Sequence, residues 1–176
     1  MIPFWRLCNG EQFWPNSGAQ GRWHAADRGV IVLEATPVAA LCAALAFAEV
    51  PHPSALPATY CLHRIWIPTN AIRTAAVPRR WQMDPKATQA VGQAWLDAGE
   101  SLVLSVPSGS GGHQYLLNSY HADVRACRLD GYWSYPFEPG TVDVEPILQS
   151  GAEWLAVFEP PVTRGEDRMQ VTPTSA

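Results

Sequence analysis

The sequence predicts an α+β fold, a compact mixed sheet with a few helices. Two observations lead there. Short apolar or alternating runs of strand length recur along the chain, and two capped helical patterns lie among them. They are mixed without strict strand–helix–strand alternation, which argues against a doubly wound parallel sheet. No internal repeat or linker interrupts the 176 residues, so residues 1–161 are read as one domain and 162–176 as a polar tail.

The elements follow in order. Residues 1–28 are rich in Gly, Asn, Trp and Gln and predict mostly loop, with a short strand near Phe4–Leu7 and turns at Gly18, Gly21 and Gly29. Val30-Ile31-Val32-Leu33 is a fully apolar run and predicts a buried strand. Thr36 is a helix N-cap with Pro37 at the first helical position, and the Ala-rich helix runs to Glu49, where Pro51 and Pro53 end it. Tyr60 to Ile67 alternates as a strand and Pro68 closes it. Residues 78–83 make a turn, and Asp84-Pro85 caps a second helix over 86–98 that Gly99 stops. Ser101 to Val106 predicts a strand, and Ser108 to Gly112 a flexible loop. Tyr115 to Leu117 and Val124 to Leu129 predict short extended pieces, and Trp154 to Phe158 a last strand.

Composition narrows the function. Apolar residues make up 47%, which predicts a globular chain. Charged residues are only 16%, below the usual quarter, which suggests a surface partly covered by a partner or a second copy. The eight Trp residues point the same way, although most belong in a core. The net charge of −4 argues against nucleic-acid binding, and the one basic pair, Arg79-Arg80, reads as a solvated loop. The start has no basic and apolar leader pattern, and the longest apolar stretch, Val38 to Val50, is too short to span a bilayer. The expectation is therefore a cytoplasmic protein with no membrane contact. Cys8, Cys42, Cys61 and Cys127 lack CxxC spacing and paired His ligands, so they read as buried free thiols, with no metal site.

Three stretches, in order, carry a resemblance. The first is Gly21-Arg22-Trp23, then Gly29 and the apolar strand, then Ala35-Thr36-Pro37 opening an Ala/Leu helix. The second is Gly92-Gln93-Ala94-Trp95-Leu96 followed by Leu102 to Ser108. The third is Tyr115-Leu116-Leu117-Asn118 followed by His121-Ala122-Asp123. From about Trp5 to Leu129 the chain resembles the RES domain family. The resemblance implies a fold similar to ADP-ribosyltransferase toxins. It implies NAD+ as substrate, cleaved at the nicotinamide–ribose bond with phosphate, water or a protein side chain as acceptor. It also implies a toxin whose partner is an antitoxin with a helix-turn-helix domain.

Cleavage of that bond passes through an oxocarbenium-like state. The protein must hold the diphosphate and stabilise positive charge at the ribose. Arg22 matches the family's Arg in the Gly-Arg-Trp motif and is expected on the diphosphate, with Trp23 beside it in the NAD+ site. A surface Arg stacked on Trp23 is the plainer alternative. Ser108 matches the family's Ser after Val-Pro and is expected to orient the ribose end; a turn Ser is its alternative. Residues 108–112 do not make a P-loop, because no Gly-Lys-Ser/Thr follows. His113 and His121 read as ordinary loop histidines, and Asn118 as a structural turn residue.

The departures from the family pattern matter more. The family's Tyr after the first motif falls at Leu33 or Glu34, its helix Glu at Ala43 or Ala44, and a His of some members at Phe47 or Ala48. Glu34 is the candidate replacement carboxylate, with a solvent-facing strand end as its alternative. Glu49 lies on another face, about 8–9 Å further along the helix axis. Two main readings stand open: an NAD+-consuming enzyme using Arg22, Glu34 and Ser108, or a catalytically degenerate module that binds a partner or NAD+ without turnover. An alanine introduced at the Glu position would account for that departure alone, and an unrelated α+β domain mimicking the motifs is a third reading.

Overall fold

The structure, a computed structural model, describes residues 1–14, 18, 20–50, 53–109 and 111–137. The strand expected at Trp154 to Phe158, the 162–176 tail and the end of the 1–161 domain lie outside the described residues. Seven strands and two helices follow one another: β1 Ile2–Asn9, β2 Val30–Leu33, α1 Pro37–Ala48, β3 Tyr60–Ile67, β4 Ile72–Thr74, α2 Pro85–Ala98, β5 Val103–Pro107, β6 His113–Asn118 and β7 Arg128–Ser134. They form two sheets, ordered β1-β3-β7 and β2-β6-β5-β4, antiparallel except for the β4/β5 pair. This is an α+β architecture.

Both helices start where local chemistry puts them. The Thr36 hydroxyl accepts from the Ala39 N–H at 3.1 Å, and the Asp84 carboxylate accepts from the Ala87 N–H at 2.9 Å, each with Pro next in sequence. Gly99 ends α2 in the left-handed conformation. Glu49 ends α1 the same way at φ +56, so the turn comes one residue earlier than expected and precedes Pro51.

Three clusters of buried side chains stack the layers as helix, sheet, sheet, helix. Ala40, Leu41, Ala44 and Leu45 of α1 meet Trp5, Leu7, Leu62 and Trp133 of the first sheet. Phe4, Ile65 and Ile67 of that sheet meet Ile31, Leu33, Val103 and Leu117 of the second. The far face of the second sheet, Val30, Leu104, Val106 and Leu116, meets Trp95 of α2 together with Trp23 and Trp81. Alternation along β2 is what sends Val30 and Ile31 into different clusters.

Several expectations are corrected. β1 is twice the expected length, because all eight residues pair with β3, from Ile2 opposite Ile67 to Asn9 opposite Tyr60. Residues 124–129 are not one extended piece. Ala122–Ala126 forms a 3-10 turn after His121, whose Nδ1 accepts from the Asp123 N–H, and the strand begins at Arg128. β7 then runs past Gly131, which adopts φ +94 where Asp130 and Gly131 together face Arg64 alone. That is a bulge built on a left-handed glycine. Of the four thiols, all free, Cys61 and Cys127 are buried, Cys8 is half-buried and Cys42 is exposed, so burial does not describe the whole set.

The Gly-Arg-Trp segment and the motif of α2 are in contact. A Cβ on Gly92 would lie 1.7 Å from the Trp23 carbonyl oxygen. The Thr88 hydroxyl donates to the Arg22 carbonyl at 2.9 Å, and the Trp23 and Trp81 rings lie 5.3 Å apart. Gly92 is there because a backbone carbonyl occupies the space of a side chain. Gly92→Ala is expected to cost about 3 kcal/mol or prevent folding. Gly99→Ala, at φ +59 with open space around it, is expected to cost only about 1 kcal/mol. Urea unfolding of the two variants checks the contrast, and equal losses would contradict it.

Candidate active site

Among the described residues, one backbone bridge joins the two sheets. The Trp5 N–H donates to the Glu34 carbonyl at 2.9 Å, and the Glu34 N–H donates back to the Trp5 carbonyl at 2.8 Å. A cleft of about 440 Å³ opens beside this seam. β1 contributes Arg6 and Cys8, the end of β2 Glu34, α1 Ala43, Ala44 and Phe47, and β6 Gln114. The volume lies in the range of small-molecule sites.

Glu34 is the carboxyl in its lining. Its side chain is buried, and the Gln114 amide donates to Oε1 at 2.8 Å. The register explains the pairing: Leu33 lies opposite Tyr115, so the next position along β2 meets Gln114. Burial pushes the Glu34 carboxyl from its ordinary 4.5 up to about 7, and the Gln114 bond acts weakly in the other direction. A carboxyl titrating there holds both protonation states near neutral pH, as acid–base chemistry requires.

Arg6 supplies positive charge. Its Nη1 donates to the Phe13 carbonyl at 2.8 Å and its guanidinium lies 5.9 Å from the Phe13 ring centroid. Burial lowers its pKa, but it remains a cation. His24 also lines the cleft; its Nδ1 lies 3.0 Å from the Ala25 carbonyl, which makes Nδ1 the donor, and Nε2 is buried with no partner. Phe47 stands at the rim, 78% exposed.

Of the residues nominated from sequence, the cleft gathers Glu34 but not Arg22, Trp23 or Ser108. Arg22 donates to the Trp81 carbonyl at 3.3 Å and to the Gln82 carbonyl, and its guanidinium stacks on Trp81, not on Trp23. Trp23 is enclosed in the third core cluster. Ser108 sits at the tip of the β5–β6 hairpin, its N–H donating to the Gly112 carbonyl at 3.1 Å. Asn118 serves its turn, accepting from the Tyr120 N–H at 3.0 Å. Glu49 does not line the cleft. Of the departure positions, Glu34, Ala43, Ala44 and Phe47 line it, while Leu33 is fully buried between the sheets.

Sequence reasoning missed Arg6, His24 and Gln114. Gln114 had a signal, since it directly precedes Tyr115-Leu116-Leu117 and antiparallel pairing with Val30–Leu33 places it beside Glu34. Arg6 had none, because only the bridge at Trp5 brings β1 to β2.

The fold and cleft define a two-sheet α+β domain with one poised carboxyl at the seam of the sheets. The RES domain family profile matches residues 3–138, and the chain belongs to that family. It is 30% identical over 113 residues to the protein named Toxin Res of Pseudomonas putida, covering 62% of this chain and 77% of that one. It is also similar in fold to a chain in the crystal structure of the M. tuberculosis MbcT–MbcA toxin–antitoxin complex. The TM-score there is 0.61 and the identity 19%, over 84% of this chain and 87% of that one. No helix among the described residues is long and apolar enough to cross a membrane.

Glu34 and His63 make opposed contributions to stability. His63 is fully buried in β3, and burial lowers its pKa from 6.5 to about 4, partly opposed by the Gly10 backbone. Between pH 4.5 and 6.5 the folded state holds an extra proton on Glu34 and the unfolded state an extra one on His63, so the two slopes offset. Glu34→Gln leaves only the His63 effect, and that variant is expected to lose about 2–3 kcal/mol as pH falls from 6.5 to 4.5. His63→Leu leaves only the Glu34 effect and is expected to gain a similar amount over the same fall. Urea unfolding at both pH values measures this; parallel profiles in wild type and both variants would refute it.

Proposed function

We propose that this chain is the toxin of a toxin–antitoxin pair and that it cleaves the nicotinamide–ribose bond of NAD+ in the cleft. The observation that carries the reading is Glu34. A buried carboxyl poised near neutrality lines the same cleft as Ala43, Ala44 and Phe47, positions that the family resemblance implies for a Glu and a His. The names of the relatives support the toxin role: Toxin Res in one case, a toxin–antitoxin complex in the other.

In this reading, Arg6, which lines the cleft, turns its guanidinium from the Phe13 carbonyl to bind the diphosphate. Ionised Glu34 stabilises positive charge at the ribose carbon as the C–N bond breaks and neutral nicotinamide leaves with the bonding pair. Phosphate, water or a protein side chain then attacks that carbon. Gln114 orients the carboxylate. Arg22 acts by anchoring its segment to the Trp81–Gln82 turn, and Ser108 by closing the hairpin that carries Gln114. The antitoxin, of the helix-turn-helix type that the family resemblance implies, covers low-charge surface near the cleft.

A second reading has its own support: Ala43, Ala44 and Phe47 stand where family members carry a Glu and a His, and all three line the cleft. The chain would then bind its partner or NAD+ without turnover.

NAD+ consumption followed by NMR, with and without phosphate, decides between them. An active enzyme is expected to lose about 10²–10³-fold in kcat/KM on Glu34→Gln, and Arg6→Ala is expected to raise KM about tenfold or more. Turnover should climb with pH through about 7 as Glu34 ionises. Arg22→Ala should lower stability with little effect on kcat. No turnover in wild type, but turnover in Ala43→Glu or Ala44→Glu, establishes the degenerate module; no NAD+ loss or binding in any of these proteins removes NAD+ from both readings.

A further inference from the structure

We propose that Cys8 and Cys61 are a redox-modified pair that closes reversibly into a cross-strand disulfide in the wall of the cleft. The two residues lie directly opposite each other in the β1/β3 ladder. Directly opposed residues project to the same face of a sheet. Trp5 turns its N–H and carbonyl toward Glu34, so Arg6 and Cys8 present theirs to β3. The bond from the Gly10 N–H to the Thr59 carbonyl, 2.8 Å, continues that phase. Cys8 and Cys61 are therefore a hydrogen-bonded antiparallel pair.

Such pairs have Cα atoms about 5.5 Å apart, inside the range of about 4.4–6.8 Å that disulfides span. Their Cβ atoms lie about 4.5–5.5 Å apart, whereas a relaxed bridge needs about 3.5–4.5 Å. Closure draws the two strands together by roughly the difference, leaving a strained and easily reduced bond. This geometry fits a labile bridge, not a permanent one.

Access is asymmetric. Cys8 is half-buried and lines the cleft, whereas Cys61 is buried at 4% exposure. Only weak contacts hold the two thiols: Cys8 Sγ lies 3.8 Å from the Gln12 carbonyl and Cys61 Sγ 4.0 Å from the Thr59 carbonyl, and the Ser134 side chain opposite Cys61 in β7 also bonds to its thiol. With a small disulfide such as oxidised glutathione, the Cys8 thiolate attacks one sulfur and releases the first glutathione. The Cys61 thiolate then attacks Cys8 Sγ and releases the second. Two electrons pass from the cysteines to the oxidant, and their two protons end on the two glutathione thiols. Burial raises both thiols, so the exchange is slow at neutral pH and accelerates as pH rises. The bridge forms at a residue that lines the cleft, two positions from Arg6.

The test incubates the whole protein with oxidised glutathione at pH 8 and maps its peptides by mass spectrometry, independently of any NAD+ assay. The expected product is a monomer lighter by two hydrogens with Cys8 joined to Cys61, reopened by thioredoxin. Cys8→Ser should abolish the bridge, Cys61→Ala should stop at a glutathione adduct on Cys8, and Cys42→Ser should leave it unchanged. Modification of Cys42 alone, an intermolecular dimer, or two free thiols at Cys8 and Cys61 after prolonged oxidation would each overturn the proposal.

Discussion

The reciprocal pair of hydrogen bonds between Trp5 and Glu34 is the constraint on which the rest depends. It is the one backbone bridge between the sheets among the described residues. It sets the phase of β1, and hence which residues turn toward β3. It also holds the end of β2 at the seam, so that the Glu34 side chain leaves the inter-sheet core and enters the cleft. One position earlier, Leu33 is sealed between the sheets. A carboxyl at residue 33 would be buried among apolar side chains, and one at residue 35 would be exposed.

The surroundings of Glu34 are arranged to keep it indecisive. Apolar neighbours withdraw water and favour the neutral acid, while the Gln114 amide favours the anion. Arg6 contributes a cation within the same walls but is partly occupied by the Phe13 carbonyl. α1 adds no charge at all along Pro37–Ala48, so the cleft has polar groups on its strand side and an alanine surface on its helix side.

The legible parts of the fold were those decided by neighbours in sequence. Thr36-Pro37, Asp84-Pro85 and Gly99 bound their helices through contacts within a few residues, and Val30–Leu33 is apolar enough to stand alone. β7 was obscured by Gly131, whose left-handed conformation serves a bulge but reads as a turn. β4 is three residues long and held by a parallel neighbour. Glu34 is singled out in the sequence as the candidate carboxylate, and the structure places it in the cleft lining. Arg22 and Trp23 are drawn together by a different need: their carbonyls seat on Thr88 and Gly92, which explains the motif by packing. Arg6 and Gln114 reach the cleft only through strand pairings that span much of the chain.

Those distant pairings govern when the cleft comes into being. β2 lies at the edge of its sheet, and its one strand neighbour there is β6. During synthesis the segment bearing Glu34 leaves the ribosome long before His113–Asn118 does. For that interval it has no strand to lie on and no Gln114 to orient its carboxyl. A growing chain therefore carries every residue of β1, β2 and α1 without carrying a site. The cleft appears only once His113–Asn118 has emerged and paired with Val30–Leu33.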